Sequence, residues 1–159
     1  MYKNILIPTD GSALSKKAVR TGIAFARSIG ASVTGLYSPE RYEVLTYGEY
    51  FPPDLISRKQ WEKRSEESAR KILAEVEKVA KAAGVPYRGF HLASLAPWEA
   101  IVESAKKRKC DLIYMASHGR TGLAGLLLGS QAAKVLAHSP VPVLVYKQSG
   151  KGSKARRGR

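Results

Sequence analysis

"DLIYMASHGRTGLAGLLLGS", residues 111–130, decides how the rest of the chain is read. Its opening, "DLIYMAS", is almost wholly apolar over the length of one strand, the pattern of a strand buried on both faces of a parallel sheet. Gly119, Gly122, Gly125 and Gly129 then interrupt the pattern, and a short helix follows over Gln131–His138. A helix N-terminus leaves backbone N–H groups unpaired and partly positive, so it attracts anions. Glycine lets an anion approach the backbone closely and permits positive φ. Spacing alone leaves two readings of the loop. In one it is a phosphate cradle, with Gly119, Gly129 and Ser130 at the anion and Arg120 as a nearby mobile charge. In the other, Gly122 and Gly125 relax a surface loop and Ser130 is an ordinary N-cap.

Working outward, the same alternation of strand and helix recurs along the chain. "YKNILIPTD" is a β-rich run ending in the turn chemistry of "DGS". Residues 12–29 carry Leu14, Ala18, Gly22, Phe25 and Ile29 at a helical period, and Gly30 stands where a helix end favours a left-handed residue. "ASVTGLYS" is a second strand. A long helix over Ser57–Ala83 places Trp61, Ala69, Ile72, Leu73, Val76 and Val79 or Ala80 on one stripe, and Gly84 stops it. "PYRGFHLA" is a third strand. Pro97 opens a helix running to about Lys107, and "VPVLVYK" is a fifth strand after the glycine loop. Five strands alternating with helices predict βαβ units, a mostly parallel sheet and helices on both faces. Ligands of such sheets bind beyond the carboxyl ends of the strands, where the strand order reverses. Those ends hold Pro8-Thr9-Asp10, Tyr37-Ser38 and Met115–Gly119.

Bulk properties limit the function classes. The 159 residues, 44% hydrophobic, suit one domain with a real core. No apolar run approaches the roughly 18 residues of a membrane span, and "MYKNILIPTD" has no charged-then-apolar leader, so a cytoplasmic protein is expected. The one cysteine, Cys110, excludes an internal disulfide and reads as a small buried hydrophobe at a helix–strand junction. No His, Cys or carboxylate cluster has metal-ligand spacing. The net charge of +14 is uneven: "KQSGKGSKARRGR", residues 147–159, holds six Lys or Arg, and taking these away leaves +8 on residues 1–146. The organisation expected is one domain over 1–147 and a disordered basic tail over 148–159. That tail is either a solubilising end or a salt-sensitive arm for a polyanion.

Two absences narrow the chemistry. There is no G-x-x-x-x-G-K-[ST], and "PTDGS" stands after the first strand in place of G-x-G-x-x-G, which disfavours a Walker-type site and a dinucleotide oxidoreductase. Three segments, "KNILIPTDGS", "DLIYMASHGRTGLAGLLLGS" and "SPVPVLVYK", resemble the universal stress proteins in order over Met1–Lys147. Nucleotide-binding members of that family carry G-x2-G-x9-G-[ST]. Here the pattern is Ala116-x2-Gly119-x9-Gly129-Ser130, with alanine in place of the first glycine.

The resemblance implies a single-domain five-stranded parallel α/β fold of the Rossmann-like, adenine-nucleotide-binding type. It implies binding of ATP or AMP, with Mg²⁺ on the phosphates, and a homodimer formed through the last strand. By the same resemblance, Asp10 would hold the ribose hydroxyls while Pro8 and Thr9 shape the pocket wall. Ser38 would offer backbone contacts to adenine, Met115 would pack near the nucleoside, and Ala116 would line the ribose side. Gly119, Gly129, Ser130 and Gln131 would surround the phosphates. The implied role is a nucleotide-responsive regulator in stress response, with slow hydrolysis at most because no dedicated base or phosphate lysine is evident. The alternatives are a nucleotide-free dimeric interaction module and a slow adenine-nucleotide hydrolase.

Other residues have local readings. Asp10 could also cap the helix that follows it. His118 is either a general base or a residue that orients its loop through a hydrogen bond. His91 and His138 read as structural or exposed, and Lys134 as a surface charge. "KKRK", Lys106–Lys109, is a solvated helix end whose charges suit the dipole. Tyr42, Tyr47, Tyr50 and Phe51 in the loop over Arg41–Asp54 either shield a base, meet a partner or pack over the sheet edge.

Overall fold

The computed structural model describes residues 1–39, 57–119 and 128–148. In chain order it contains β1 (Asn4–Thr9), α1 (Ala13–Ile29), β2 (Ser32–Tyr37), α2 (Arg58–Ala82) and β3 (Tyr87–His91). These are followed by α3 (Pro97–Lys107), β4 (Leu112–Ala116), α4 (Ser130–His138) and β5 (Val143–Tyr146). The strands form one sheet in the order β3-β2-β1-β4-β5, and every pairing is parallel. The chain steps outward from β1 through β2 to β3, then returns past β1 to β4 and β5. The order therefore reverses between β1 and β4, and the five-stranded parallel α/β fold expected from the sequence is the one observed.

Side-chain alternation builds two cores, one on each face. Ile5, Ile7, Leu112 and Tyr114 pack under α1 and α2 with Ala18, Ile23, Val76 and Ala80. Leu6, Leu36, Ile113 and Met115 pack under α3 and α4 with Ile101, Ala105, Ala132 and Val135. All of β4 is buried, as its unbroken apolar run required. Gly22 lets α1 lie directly on the sheet side chains, because it has no side chain of its own. A Cβ there would stand 2.8 Å from Ile7 Cδ1 and 2.9 Å from Tyr114 Cδ1. Tyr87 lies across the sheet in a similar vacancy, over Gly35 and Gly89.

Local signals set the element ends. Ser12 caps α1, its Oγ accepting from the Ser15 N–H at 3.3 Å, and Gly30 ends the helix at φ 69°. Ser57 and Gln60 form a reciprocal capping box at the start of α2. α4 departs from one reading of the loop. Its N-cap is Gly129, no side chain caps it, and Ser130 is its first helical residue. Cys110 is 4% exposed, and burial pushes its thiol up, against the thiolate a reactive cysteine needs. Among the described residues, no helix is long and apolar enough to cross a membrane.

Candidate nucleotide site at the sheet reversal

The reversal of strand order leaves a crevice between the carboxyl ends of β1 and β4. Pro8, Thr9, Asp10, Ser38, Met115, Ala116 and Gly119 all line one hollow of about 110 Å³ there. Three widely separated segments, each carrying unusual residues at a strand end, thus meet in one place. Ser15, Leu36, Pro97, Ile101 and His118 complete the wall.

The β1–α1 turn is held by a compact set of hydrogen bonds. Thr9 Oγ1 and Ser15 Oγ lie 2.6 Å apart, both residues being buried. The Asp10 N–H donates to Ser15 Oγ at 3.3 Å, and the Gly11 N–H donates to Thr9 Oγ1 at 3.2 Å. Gly11 itself adopts φ 76°, which glycine reaches at little steric cost. Asp10 Oδ1 accepts from the Ser12 N–H at 2.9 Å, an Asx-type turn. Ser12 rather than Asp10 is the helix cap, so the Asp10 carboxylate is oriented by the turn instead of being spent on α1. Asp10 Oδ2 faces Gly119 so closely that a Cβ on the glycine would come within 2.5 Å of it.

The β4 side is equally constrained. Ala116 is 8% exposed, pairs with Tyr146 of β5 and keeps negative φ. Its methyl group therefore carries no backbone strain. Gly129 closes onto the strand end, its N–H donating to the Ser117 carbonyl at 2.7 Å. A Cβ there would stand 3.1 Å from His118 Cα and 3.2 Å from the Ser117 carbonyl oxygen. Ser117 Oγ and His118 Nδ1 are 3.2 Å apart, so a local hydrogen bond positions the histidine.

Not every residue selected from the sequence joins the hollow. Gly129 and Ser130, the N-cap and first residue of α4, are both outside its lining. Gln131 turns toward α3 instead, where its Oε1 accepts from the Trp98 N–H at 3.0 Å. Ser38 Oγ donates to the Leu92 carbonyl at 2.9 Å, tying the end of β2 to the chain beyond β3. Arg120, Gly122 and Gly125 lie outside the described residues, as do the aromatics of the 40–56 segment and the tail from residue 149. His91 and His138 are exposed, with the His138 ring stacked at 4.7 Å on Trp98. Lys134 and the 106–109 run are exposed too.

Ser15 stands in the first turn of α1, where a serine carries no signal in the sequence. Pro97 and Ile101 reach the hollow only through the packing of α3 on the sheet. A groove of about 490 Å³ between α1 and α2 touches the same turn at Thr9 and Gly11. Its remaining walls are Val19, Ile72, Val76, Val79 and Ala82 with a few flanking charges, and they lack a convergent polar set.

The family model described as the universal stress protein family matches residues 1–147. A universal stress protein of Methanocaldococcus jannaschii, MJ0531, is 37% identical over 154 residues, covering 95% of this chain and 85% of that protein. The solved structure of MJ0577, from the same organism, superposes with a TM-score of 0.79 at 29% identity, covering 94% of this chain and 99% of that one. A universal stress protein solved in complex with cAMP superposes with a TM-score of 0.67 at 28% identity, covering 93% of this chain and 99% of that one. The chain belongs to the universal stress protein family.

Proposed function

We propose that the chain binds an adenine nucleotide, ATP or AMP, in the crevice between β1 and β4, and that binding switches a regulatory homodimer in stress response. The observation that carries this reading is the convergence of Asp10 with Ala116 and Gly119 on one hollow at the sheet reversal. A carboxylate fixed by Ser12 suits the two ribose hydroxyls, which are donors. The Gly129 turn and the side-chain-free N-terminus of α4 suit phosphates. Ser130, Gln131 and Arg120 belong to the same proposal as phosphate-end residues. The relative solved with cAMP supports an adenine nucleotide as the ligand class.

Mg²⁺ would enter on the phosphates. Among the described residues, no group of three or more His, Cys, Asp or Glu could hold a metal ion. β5 is a sheet edge whose Val143, Leu144, Val145 and Tyr146 remain partly accessible, which supports dimerisation through it. A cytoplasmic location and polyanion contact by the basic tail complete the proposal.

Isothermal calorimetry with Mg-ATP tests the reading. Micromolar binding is expected, and it should be lost when Gly119 or Gly129 is changed to valine. No heat and no thermal shift at millimolar Mg-ATP would overturn it in favour of a nucleotide-free interaction module. The ratio of absorbance at 260 and 280 nm of the purified protein gives an independent reading of copurified nucleotide.

A further inference from the structure

The hollow at the sheet reversal is too small to be the whole site. Its volume of about 110 Å³ falls well below the roughly 300–1,000 Å³ of small-molecule pockets. A second compartment of about 530 Å³ adjoins it and shares Asp10, Ser38, Pro97 and Gly119 with it. The rest of that lining is Tyr37 and Pro39 from the end of β2, and Trp61, Arg64, Ser65 and Ser68 from α2.

The placement of α2 explains this wall. Lys16, in the first turn of α1, pairs with Glu75 of α2 at 2.8 Å. The two helices run in the same direction, so the residues of α2 ahead of Glu75 rise past the start of α1, by about 20 Å at 1.5 Å per residue. The first turns of α2 therefore overhang the carboxyl edge of the sheet. Residues 61, 64, 65 and 68 have the i, i+3, i+4, i+7 spacing of one helix face. Farther along, α2 packs on the core through Ala69, Val76 and Ala80. In its first turns the inward face is instead an indole, a guanidinium and two hydroxyls. Trp61, Ser65 and Ser68 are half-buried, although nearly everything around them on α2 is exposed. A face of that chemistry lines a polar ligand space better than it seals a core. Among the described residues, no ion pair engages Arg64.

We propose that the first three turns of α2 form the second wall of the nucleotide site, with Trp61 stacking on the purine base and Arg64 facing the ligand's negative charge. This rests on the nucleotide reading above. The α2 compartment holds Ser38, the residue proposed for the adenine end, together with Asp10, proposed for the ribose. A purine nucleoside seated on Asp10 is too large for the smaller hollow, and the space open to its base is the one Trp61 walls. Base–aromatic stacking tolerates any purine, so this wall contributes affinity without choosing between adenine and guanine.

The test uses the full chain with Trp98→Phe, which leaves Trp61 as the sole tryptophan. Saturating Mg-ATP should quench its fluorescence, with the same midpoint that calorimetry gives. Trp61→Ala should raise the Kd for ATP on the order of tenfold, and Trp61→Phe should restore most of the loss. Arg64→Glu should weaken ATP severalfold while leaving adenosine unchanged. Circular dichroism and thermal melting confirm that each variant is folded. Heat of ATP binding in the unaltered protein, with unchanged Trp61 fluorescence and a Kd unmoved by Trp61→Ala, overturns the α2 wall alone. Absence of heat in the unaltered protein overturns the nucleotide reading and the wall with it.

Discussion

Gly119→Ala isolates how the two halves of the site depend on each other. Gly119 is not among the positive-φ glycines, which are Gly11, Gly30 and Gly84, so alanine meets no backbone penalty. Among the described residues, the atoms a Cβ would crowd are Asp10 Oδ2 at 2.5 Å and Asp10 Cγ at 3.5 Å. The first distance is about 1 Å short of the ~3.5 Å at which nonbonded heavy atoms come to rest. The carboxylate must therefore swing away, which also strains its 2.9 Å bond from the Ser12 N–H. If Asp10 holds the ribose, the loss is that of a hydrogen bond to a charged group, about 1.5–3 kcal/mol, or roughly 10- to 100-fold in Kd. In an Asp10→Ala background the crowded atoms are gone, and Gly119→Ala should cost less than about twofold. Calorimetry of Mg-ATP on the four proteins of this cycle measures the coupling directly. An equal cost of Gly119→Ala in both backgrounds would refute the argument, because the effect would then not pass through Asp10.

Three further outcomes follow from the packing. Gly22→Val should destabilise the fold by about 1–3 kcal/mol, read from the urea midpoint, because Ile7 and Tyr114 already fill the space where its Cβ would stand. Ala116→Gly should cost about 0.5–1 kcal/mol of stability by loosening a strand and move the ATP Kd by less than about threefold. A large gain in affinity would show that the methyl group obstructs the sugar after all. Burial, with the nearby charge of Glu77, pushes the Tyr87 phenol up from 10.0 to about 12. The folded state therefore favours the neutral phenol, and its contribution is complete below pH 10 and lost as pH rises from 10 to about 12. Tyr87→Phe should lose less stability than the unaltered protein across that window, measured by chemical denaturation at each pH.

What was legible in the sequence was whatever local chemistry dictates. Gly30, Pro97 and the apolar run of β4 each fix their own backbone, so these element ends and the buried strand could be read directly. Asp10 and Gly119 stood out because polar and glycine residues at strand ends are informative in a parallel sheet. What escaped depends on packing between distant elements. Ser15 reaches the hollow through packing, its hydroxyl meeting that of Thr9 across the β1–α1 turn. Gln131 serves α3 only because α3 and α4 share a face. Trp61 fits a helical stripe as well as any apolar residue does. Its periodicity is correct, but periodicity does not say that this part of α2 stands above the sheet rather than on it.

The position of the crevice follows from one residue already prominent in the sequence. β1 pairs with β2 over six residues, from Asn4–Ser32 to Thr9–Tyr37, but with β4 only at Ile5–Leu112 and Leu6–Ile113. The backbone directions explain the difference. The Lys3 carbonyl accepts from Ser32 on the β2 side, and the Asn4 carbonyl accepts from Asp111 on the β4 side. Backbone groups alternate sides along a strand, so residues 4, 6 and 8 face β4. Pro8 is the next donor due on that side, and proline has no N–H. The β1–β4 ladder ends there while β1–β2 continues, and the two strands are free to part just where the strand order reverses. Asp10 then leaves β1 on one lip of the gap and Gly119 follows β4 on the other. A proline that would weaken a central strand anywhere else opens the seam between strand ends in which the hollow lies.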